Sequence, residues 1–309
     1  MLNKVIWPVA GKYILAVSGG VDSVVLLDLL VSKAGPWKLI VAHFNHGIRD
    51  DSSKDEDLVK SLADNYGLEF VSAQGKLGEK TSEDKARVAR YKFLRQMRKK
   101  YKADKIITAH HLDDRIETAL FNIQRGTGRV GMIPFSKDTD LLRPLRDVYK
   151  DEIVAYAKKN KLQWVEDQTN SNLNYARNAI RRKTIPKIEK ARPSFKTEFA
   201  KLLVELEADS NRIEILLEKR FDAIGVIDSN QIKLDRNALI SMNLDLLNEF
   251  LYHCLRKLDA GAEIQKPQLR RLSHFCKTAK LDALCPVSGK LYARAKRSEI
   301  ILSKDGRLN

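Results

Sequence analysis

Short β-rich segments alternate with amphipathic segments along the first part of this chain. The strand-like segments are KYILAVS, LIVAHFN, LEFVSA and KIITAHH, and they are followed in turn by VVLLDLLVSKAG, DEDLVKSLADNYG, SEDKARVARYKFLRQMRKKY and DDRIETALFNIQRG, which have helical periodicity. Alternating β and α units with nearly continuous apolar strands are typical of a parallel sheet. We therefore predict an α/β domain over residues 1–192, with helices on both faces of a parallel sheet.

Residues 193–309 predict a smaller, mainly helical α+β domain. The boundary falls near KARPSFK, and beyond it FAKLLVELEADSNRIEILLEKRF, LDLLNEFLYHCLRKLDAG and PQLRRLSHFCKTA have helical periodicity. VIDSNQIKLD predicts a hairpin, and KLYARAKRSEIILS predicts a β-rich end. No catalytic constellation occurs here, so we expect this domain to dock a partner. The alternative is a helical cap that supports the first domain or a homodimer.

Basic residues outnumber acidic residues in this chain. The 309 residues include 56 Lys and Arg against 40 Asp and Glu, which gives a net charge of +16. Such an excess favours a polyanionic partner. The densest basic runs extend from Arg95 to Lys105 and from Arg177 to Arg192. Either run alone is equally well explained as a solvated helix face, but together with the net charge they predict contact with nucleic acid.

Other bulk features exclude several classes of protein. No segment approaches the roughly 18 apolar residues of a membrane helix, and no signal-peptide pattern is present, so we predict a cytoplasmic protein without a membrane partner. The three cysteines have no CxxC spacing. Neither a disulfide framework nor a zinc ribbon is expected from them.

The segment AVSGGVDSVVLLDLL places a polar loop between a strand and a helix. Paired glycines let the backbone approach a ligand, and the first N–H groups of the helix point towards negative charge. We therefore predict that a phosphate binds at Ser18, Gly19, Gly20, Val21, Asp22 and Ser23. The Asp22 carboxylate would repel that phosphate unless the two share a Mg²⁺ ion. The loop lacks the lysine of a P-loop and does not match GxGxxG, and its alternative reading is a simple strand-to-helix turn.

SGGVDS after a strand resembles the pyrophosphate-binding loop of the N-type ATP pyrophosphatases, the PP-loop superfamily. Further segments resemble the tRNA(Ile)-lysidine synthetases in order and approximate spacing, namely VAHFNHGIRDDSSKDEDLV, EDKARVARYKFL, TAHHLDDRIETALFNIQRGTG, LLRPL and WVEDQTNSNLNYARNAIRRKTIP. The resemblance covers residues 13–190 strongly. One departure is Ala179, where that family often has an arginine.

The resemblance implies a two-step reaction with ATP as co-substrate and Mg²⁺ as its counter-ion. ATP would adenylate the C2 carbonyl oxygen of the wobble cytidine in an isoleucine tRNA with a CAU anticodon. The ε-amino group of free L-lysine would then attack C2, giving lysidine, AMP and pyrophosphate. With a lysine pKa near 10.4, only about 0.04% of that amine is neutral at pH 7. An acidic residue that binds the ammonium group and relays its proton is therefore expected.

Asp114 and Glu117 are the candidates for these acids, and the resemblance implies a lysine-binding or catalytic role for them. They lie three residues apart at the start of a helix that follows a strand, so their side chains share one face. The alternative is that they stabilise the helix dipole. Asp113 has the wrong phase to join them and is expected to cap the helix. Of the preceding histidines, one is expected to pack under the sheet edge and the other to face the site, whereas a zinc site in HHLDD is disfavoured.

Arginines complete the predicted site. The resemblance implies that Arg87 and Arg181 are catalytic, since guanidinium groups bind phosphate oxygens in a fork. A surface ion pair of Arg87 with Glu83 or Asp84 remains open as the alternative. We further predict that a polar arm reaches the anticodon loop, and its candidate tRNA-binding residues are Asn170, Arg177, Asn178 and Arg182.

Two rival functions are considered beside the lysidine-forming ligase. An ATP-dependent tRNA thiolase of the same superfamily would need paired cysteines, which this chain lacks. A non-catalytic ATP- and RNA-binding module would release no pyrophosphate.

Overall fold

The computed structural model describes residues 1–45, 52–75, 83–135, 139–165, 176–228, 230–259, 261–262 and 264–304. These residues divide into two compact units, Met1–Glu207 and Ala208–Asn309, which are described separately. No helix within the described ranges is long and apolar enough to cross a membrane.

The first unit contains a five-stranded parallel sheet flanked by helices. Its strands are β1 (Gly11–Ala16), β2 (Trp37–Asn45), β3 (Glu69–Gln74), β4 (Lys105–Ile107) and β5 (Leu141–Leu142). Its helices are α1 (Val21–Ser32), α2 (Ser52–Asn65), α3 (Glu83–Lys100), α4 (Leu112–Gln124), α5 (Lys150–Lys159), α6 (Ala176–Ala179), α7 (Ile185–Ala191) and the start of α8 (Phe195–Ile224). The predicted parallel α/β fold is confirmed.

Both faces of this sheet are buried. Ile14 and Leu15 are adjacent in β1 and point to opposite faces, because side chains alternate along a strand. Ile14 packs in a cluster with Tyr91 and Leu94 of α3, whereas Leu15 packs in a second cluster with residues of α1 and α5. The expectation that helices cover both faces is confirmed.

The strand order determines where ligands bind. The order is β3-β2-β1-β4-β5, so the chain proceeds outwards from β1 in one direction and then returns to add β4 on its other side. In open α/β sheets, ligands bind beyond the carboxyl ends of the strands where this order reverses. The segments that follow β1 and β4 therefore border one crevice.

Two elements of this unit were not expected from the sequence. β5 has two residues and precedes a proline, and a strand this short has no detectable periodicity. α5 begins at Lys150, and the Glu152 carboxylate accepts the N–H of Tyr149 at 3.0 Å, which caps the helix. β4 is also shorter than predicted, because its ladder with β5 ends at Ile107.

A π-helical turn, Ile180–Thr184, connects α6 to α7. Ile180 and Ile185 are five residues apart and are both buried in a cluster with Leu112 and Ile116 of α4. A turn with i→i+5 bonds places residues of this spacing on one face. The intervening side chains are thereby held next to α4.

The second unit combines helices with an antiparallel sheet. The strands are β6 (Gly225–Asp228), β7 (Gln231–Asp235), β8 (Leu284–Ser288), β9 (Leu291–Ala295) and β10 (Glu299–Ser303), in the order β6-β7-β10-β9-β8. The helices are the end of α8, α9 (Arg236–Ser241), α10 (Leu244–Leu258) and α11 (Lys266–Thr278). The predicted hairpin, helices and β-rich end are confirmed. β8 was missed because it contains Pro286, which is typical of edge strands.

Replacing Ile14 by alanine tests the sheet core. Ile14 is fully buried, so we expect Ile14→Ala to lower the free energy of unfolding by about 2–5 kcal/mol. Val88 on α3 is the control, since its side chain is 69% exposed. Val88→Ala should change stability by less than about 0.5 kcal/mol. Urea unfolding measures both values, and equal losses would contradict this account of the core.

Candidate active site

The loop between β1 and α1 is held in shape by its own serines. The Ser18 N–H donates to Ser23 Oγ at 3.1 Å, and the Ser23 hydroxyl donates to the Gly20 carbonyl at 2.9 Å. Gly19 has a φ of +91°, a conformation that favours glycine. The Ser23 and Val24 N–H groups donate to the Gly20 carbonyl at 3.1 Å, so the N–H groups of Val21 and Asp22, the first two of α1, are the ones suited to bind an anion. Because the Ser23 hydroxyl donates its proton to the Gly20 carbonyl, Ser23 stabilises the conformation of the loop.

A lysine of this chain neutralises Asp22. Lys150 Nζ at the start of α5 lies 2.5 Å from Asp22 Oδ1, and His111 Nε2 lies 3.8 Å from Asp22 Oδ2. The Asp22 side chain is 30% exposed. The sequence led us to propose Mg²⁺ as the counter-ion but gave no sign of Lys150, because its contact with Asp22 depends on the packing of α5 beside α1.

A magnesium ion at Asp22 fits this chemistry without a protein-built cage. Within the part of the chain that the structure describes, no three His, Cys, Asp or Glu side chains are grouped to hold a metal ion. Mg²⁺ needs no such group, because it usually keeps several waters and binds one or two carboxylates together with substrate phosphates. The role of Asp22 as a magnesium ligand stays a prediction.

Asp114 and Glu117 converge on one arginine. Glu117 accepts hydrogen bonds from Arg181 Nε at 2.6 Å and from Arg181 Nη2 at 2.8 Å. Asp114 Oδ1 accepts from the same Nη2 at 3.2 Å, and its Oδ2 accepts the His111 N–H at 3.0 Å. Asp114 therefore both caps α4 and faces the site. The π-helical turn holds Arg181 in this position.

Burial and charge act in opposite directions on this group. Burial raises the pKa of Glu117 above its usual value, and the hydrogen bonds from Arg181 only partly oppose this rise. Burial alone would lower the pKa of Arg181, but its bonds to Glu117 and the charges of Asp114 and Asp22 raise it. Arg181 is therefore charged at neutral pH, and Glu117 takes up a proton at a higher pH than an ordinary glutamate.

His111 links the loop to the acids. Its buried ring has Nε2 at 3.5 Å from Asp114 Oδ2 and at 3.8 Å from Asp22 Oδ2. Asp113 lies on the other side of the His111 ring: its Oδ2 is 3.8 Å from His111 Nδ1, and its carboxylate accepts the Lys150 N–H at 2.8 Å and pairs with Lys196 Nζ at 3.2 Å. Asp113 thus caps α5, whereas we had expected it to cap its own helix.

His110 belongs to a separate cationic cluster at the ends of β4 and β5. Its Nδ1 lies 2.9 Å from Thr108 Oγ1, and its ring packs 5.2 Å from that of Phe135. Burial, then the charges of Arg143, Arg87 and nearby cations, hold the pKa of His110 well below its usual value. His110 is therefore neutral at pH 7. As expected, one histidine packs at the sheet edge while the other faces the acids.

Arg87 lies in this cationic cluster. Its guanidinium lies 4.8 Å from the centre of the Tyr91 ring. Its predicted alternative, an ion pair with Glu83 or Asp84, involves side chains outside the described residues and stays open. Arg143 is buried over Phe135 at 4.2 Å; it lies in the segment LLRPL, to which the sequence alone assigned no role.

The candidate RNA-binding residues are only partly described. Asn170 and the side chain of Arg177 lie outside the described residues. Asn178 is half-buried, and Arg182 is exposed on the π-helical turn. Neighbouring helical residues point in different directions, so Arg181 meets the acids while Arg182 faces solvent. The RNA contacts of all four stay predictions.

The basic run from Arg95 to Lys105 lies far from the loop. It comprises the end of α3 and the start of β4, and therefore lies at the amino edge of the parallel sheet. Residue 12 of β1, at that edge, precedes Ser18 by six residues, or about 20 Å of strand. A nucleotide bound at the loop does not reach this run.

The cysteines are free and buried. Burial raises the pKa of Cys276 to about 12 and also raises that of Cys254. All three lie in the second unit. Because the reactive species is the thiolate, these positions do not suit sulfur chemistry.

A parallel α/β sheet with a glycine-rich loop at its switch point defines a phosphate-binding domain. Comparison with known families identifies this domain further, because residues 2–188 match the PP-loop domain family. The chain belongs to this family, whose members use ATP.

Two curated relatives illustrate the similarity. A tRNA(Ile)-lysidine synthase of Thermosipho africanus is 38% identical over 60% of this chain and 45% of its own length. A tRNA(Ile)-lysidine synthase of Pseudothermotoga lettingae is 32% identical over 76% of this chain and 57% of its own length. The chain thus spans about half the length of the curated relatives it matches.

A solved structure supports the fold. The U34-tRNA thiolase of Methanococcus maripaludis, solved with its [4Fe-4S] cluster, superposes with a TM-score of 0.56. It is 22% identical and covers 65% of this chain and 74% of its own. At this identity the likeness concerns the fold alone.

Removing Arg181 should make stability depend more steeply on pH. The raised pKa of Glu117 means that its contribution to stability is present below the unfolded value, about 4.3, and is lost as pH rises through the folded value. Without Arg181 that pKa rises further. Between pH 5 and pH 8 we expect the free energy of unfolding of Arg181→Ala to fall by about 1–2 kcal/mol more than that of the parent protein. This effect is smaller than for a fully buried pair because the Arg181 side chain is 41% exposed.

Urea unfolding at several pH values measures this effect. The double variant Arg181→Ala, Glu117→Gln carries no titrating carboxyl at residue 117 and should recover a pH profile as flat as that of Glu117→Gln alone. A double variant as steep as Arg181→Ala would show that Glu117 is not the group responsible.

Proposed function

We propose that this chain carries the activity of a tRNA(Ile)-lysidine synthase, joining L-lysine to C2 of the wobble cytidine in an isoleucine tRNA with a CAU anticodon. One observation carries the proposal: two carboxylates, Asp114 and Glu117, share Arg181 beside the PP-loop of a chain 32–38% identical to such synthases. Adenylation followed by attack of an amine needs a phosphate site and an ammonium site side by side.

The first step uses the loop. ATP binds with its phosphates at residues 18–23, where the N–H groups at the start of α1 stabilise their charge. Lys150 offsets the charge of Asp22, and Mg²⁺ held by Asp22 and the phosphates would neutralise the pyrophosphate as it leaves. The C2 carbonyl oxygen of cytidine attacks the α-phosphorus, and the bond to the β-phosphate oxygen breaks. Arg87 supplies further positive charge near the phosphates.

The second step uses the acids. Asp114 and Glu117 bind the lysine ammonium group, and because they already bind Arg181, the ammonium must share or replace that guanidinium. Glu117, whose pKa is raised, is suited to accept the proton that makes the amine nucleophilic. The amine attacks C2, and the C2–O bond breaks to release AMP.

The RNA is held outside these two sites. Arg182 and Asn178, with Asn170 and Arg177, contact the anticodon loop, where single-stranded bases offer their edges. Residues 193–309 dock the remainder of the tRNA, and residues 1–192 carry out the chemistry.

The decisive experiment incubates the whole chain with ATP, Mg²⁺, radiolabelled L-lysine and isoleucine tRNA bearing CAU. We expect label in the tRNA, with one AMP and one pyrophosphate per lysine attached. Methionine tRNA with the same anticodon is the control for substrate selection, and Glu117→Gln is the control for the acid site. ADP and orthophosphate as products would contradict the proposal.

The rival functions give different results in the same assay. A thiolase would incorporate labelled sulfur instead of lysine. A binding module would retain RNA and ATP without releasing pyrophosphate.

Lys150 provides a separate test of the phosphate site. Lys150→Gln removes a cation next to Asp22, so we expect ATP to bind about tenfold more weakly in the presence of Mg²⁺, the loss of one charge-assisted contact. Lys159→Gln is the matched control, because Lys159 is exposed at the far end of the same helix. Calorimetric titration with ATP measures both, and equal affinities would remove Lys150 from the site.

A further inference from the structure

Three neighbouring strands carry a lysine at their first or second residue, at the amino edge of the parallel sheet. Lys12 of β1 lies directly opposite Lys38 of β2, and Lys105 is the first residue of β4, on the other side of β1. Lys12 and Lys38 share one face of the sheet on strands about 4.8 Å apart, so these like charges repel each other. Lys105 is in register with Tyr13 and lies on the other face at the same edge. The sheet gains no stability from this arrangement.

Two lysines at the end of α3 extend the same positive surface. Lys99 lies in the last turn of α3, and the Lys102 N–H donates to the Lys99 carbonyl at 3.2 Å. The backbone of Asp104 then pairs with Lys12, bringing this segment to the start of β1. We define Lys12, Lys38, Lys99, Lys102 and Lys105 as the amino-edge patch.

The patch is not neutralised by the protein. Within the described ranges none of its five lysines forms an ion pair, and four of them, Lys38, Lys99, Lys102 and Lys105, are exposed. Two acids lie at this edge among the five bases: the Asp104 carboxylate accepts the Lys12 N–H at 2.9 Å, and Glu69, the first residue of β3, is hydrogen-bonded to Tyr101. Asp140, the next acid along this edge, is bound by Arg95 at 2.7 Å and Arg98 at 3.7 Å.

Local stability does not account for the patch. A lysine near the end of a helix interacts favourably with the helix dipole, and this explains Lys99. It does not explain Lys12 and Lys38, which lie opposite each other on neighbouring strands, where like charges are unfavourable, nor Lys105 at the start of β4. A row of uncompensated lysines at a strand edge matches instead a ligand that carries closely spaced negative charges.

We propose that the amino-edge patch binds the phosphate backbone of RNA, at a surface about 20 Å from the nucleotide loop. The inference rests on the proposed function, because an RNA substrate the size of a tRNA extends beyond the reacting nucleotide and reaches a second surface. The patch contributes affinity and orientation without reading sequence, since lysine contacts phosphates as a point charge.

The test compares two triple variants in RNA binding as a function of salt. Lys12→Gln, Lys38→Gln, Lys105→Gln removes three charges from the patch. Lys60→Gln, Lys92→Gln, Lys201→Gln removes three exposed charges elsewhere in the first unit. Each protein is titrated with full-length tRNA and with an isolated anticodon stem–loop between 50 and 200 mM salt.

We expect the patch variant to lower the slope of log affinity against log salt by about 2–3 for tRNA, and by less than 1 for the stem–loop. The control should shift either slope by less than 1. An unchanged tRNA slope in the patch variant, or an equal loss in the control, overturns the proposal. So does a patch variant that loses affinity for phosphatidylserine vesicles while keeping that for tRNA.

Lysine attachment separates this inference from the function on which it rests. If the parent attaches lysine and the patch variant binds tRNA with an unchanged salt slope, the RNA-binding role of the amino-edge patch is wrong and the proposed function is supported. If the parent attaches no lysine yet the slope falls as expected, the function fails and the patch remains an RNA-binding surface.

Discussion

The reversal of strand order between β1 and β4 sets the position of every group in the candidate site. These strands are hydrogen-bonded neighbours, although about ninety residues of chain separate them. The loop after β1 supplies N–H groups for phosphate, and the segment after β4 supplies His111, Asp114 and Glu117. Because β1 and β4 are parallel neighbours, the phosphate loop and the acid pair open into one crevice.

Opposite charges alternate across that crevice. Lys150 binds Asp22, His111 lies between Asp22 and Asp114, and Arg181 binds both Asp114 and Glu117. Each charge is compensated before any ligand arrives, which keeps acids in a partly buried site at a tolerable electrostatic cost. A substrate that brings both phosphates and an ammonium group can exchange with these partners one for one. The arrangement therefore stabilises the ligand-free site and, under the proposed function, suits it to one anionic and one cationic substrate.

Electrostatics also distinguishes the two ends of the sheet. At the carboxyl end, Lys150 and Arg181 are matched by acids at hydrogen-bonding distance, beside the cationic cluster around His110. At the amino edge, lysines on three neighbouring strands lack such partners among the described residues. The +16 net charge is thus not spread evenly, and the uncompensated part seen at this edge lies away from the chemistry. The crevice at the carboxyl end and the amino-edge patch therefore differ in charge. Under the proposed function, the reacting nucleotide of the RNA occupies the crevice while other phosphates of the same RNA contact the patch.

The sequence by itself determined the parallel α/β class, the loop at Ser18–Ser23 and the acid pair, because hydrophobic period and residue spacing are local properties. Asp114 and Glu117 were predictable since three residues along a helix fix a common face. The roles of Lys150 and Arg143 were not predictable, because their partners lie on elements distant in sequence. No motif in α5 indicates that Lys150 meets Asp22. Asp113 was assigned to the wrong helix for the same reason: its carboxylate reaches the N–H of Lys150 only once α5 has packed beside α1. Tertiary packing alone decided which charges meet, because contact between distant segments is set by the strand order and not by any pattern within them.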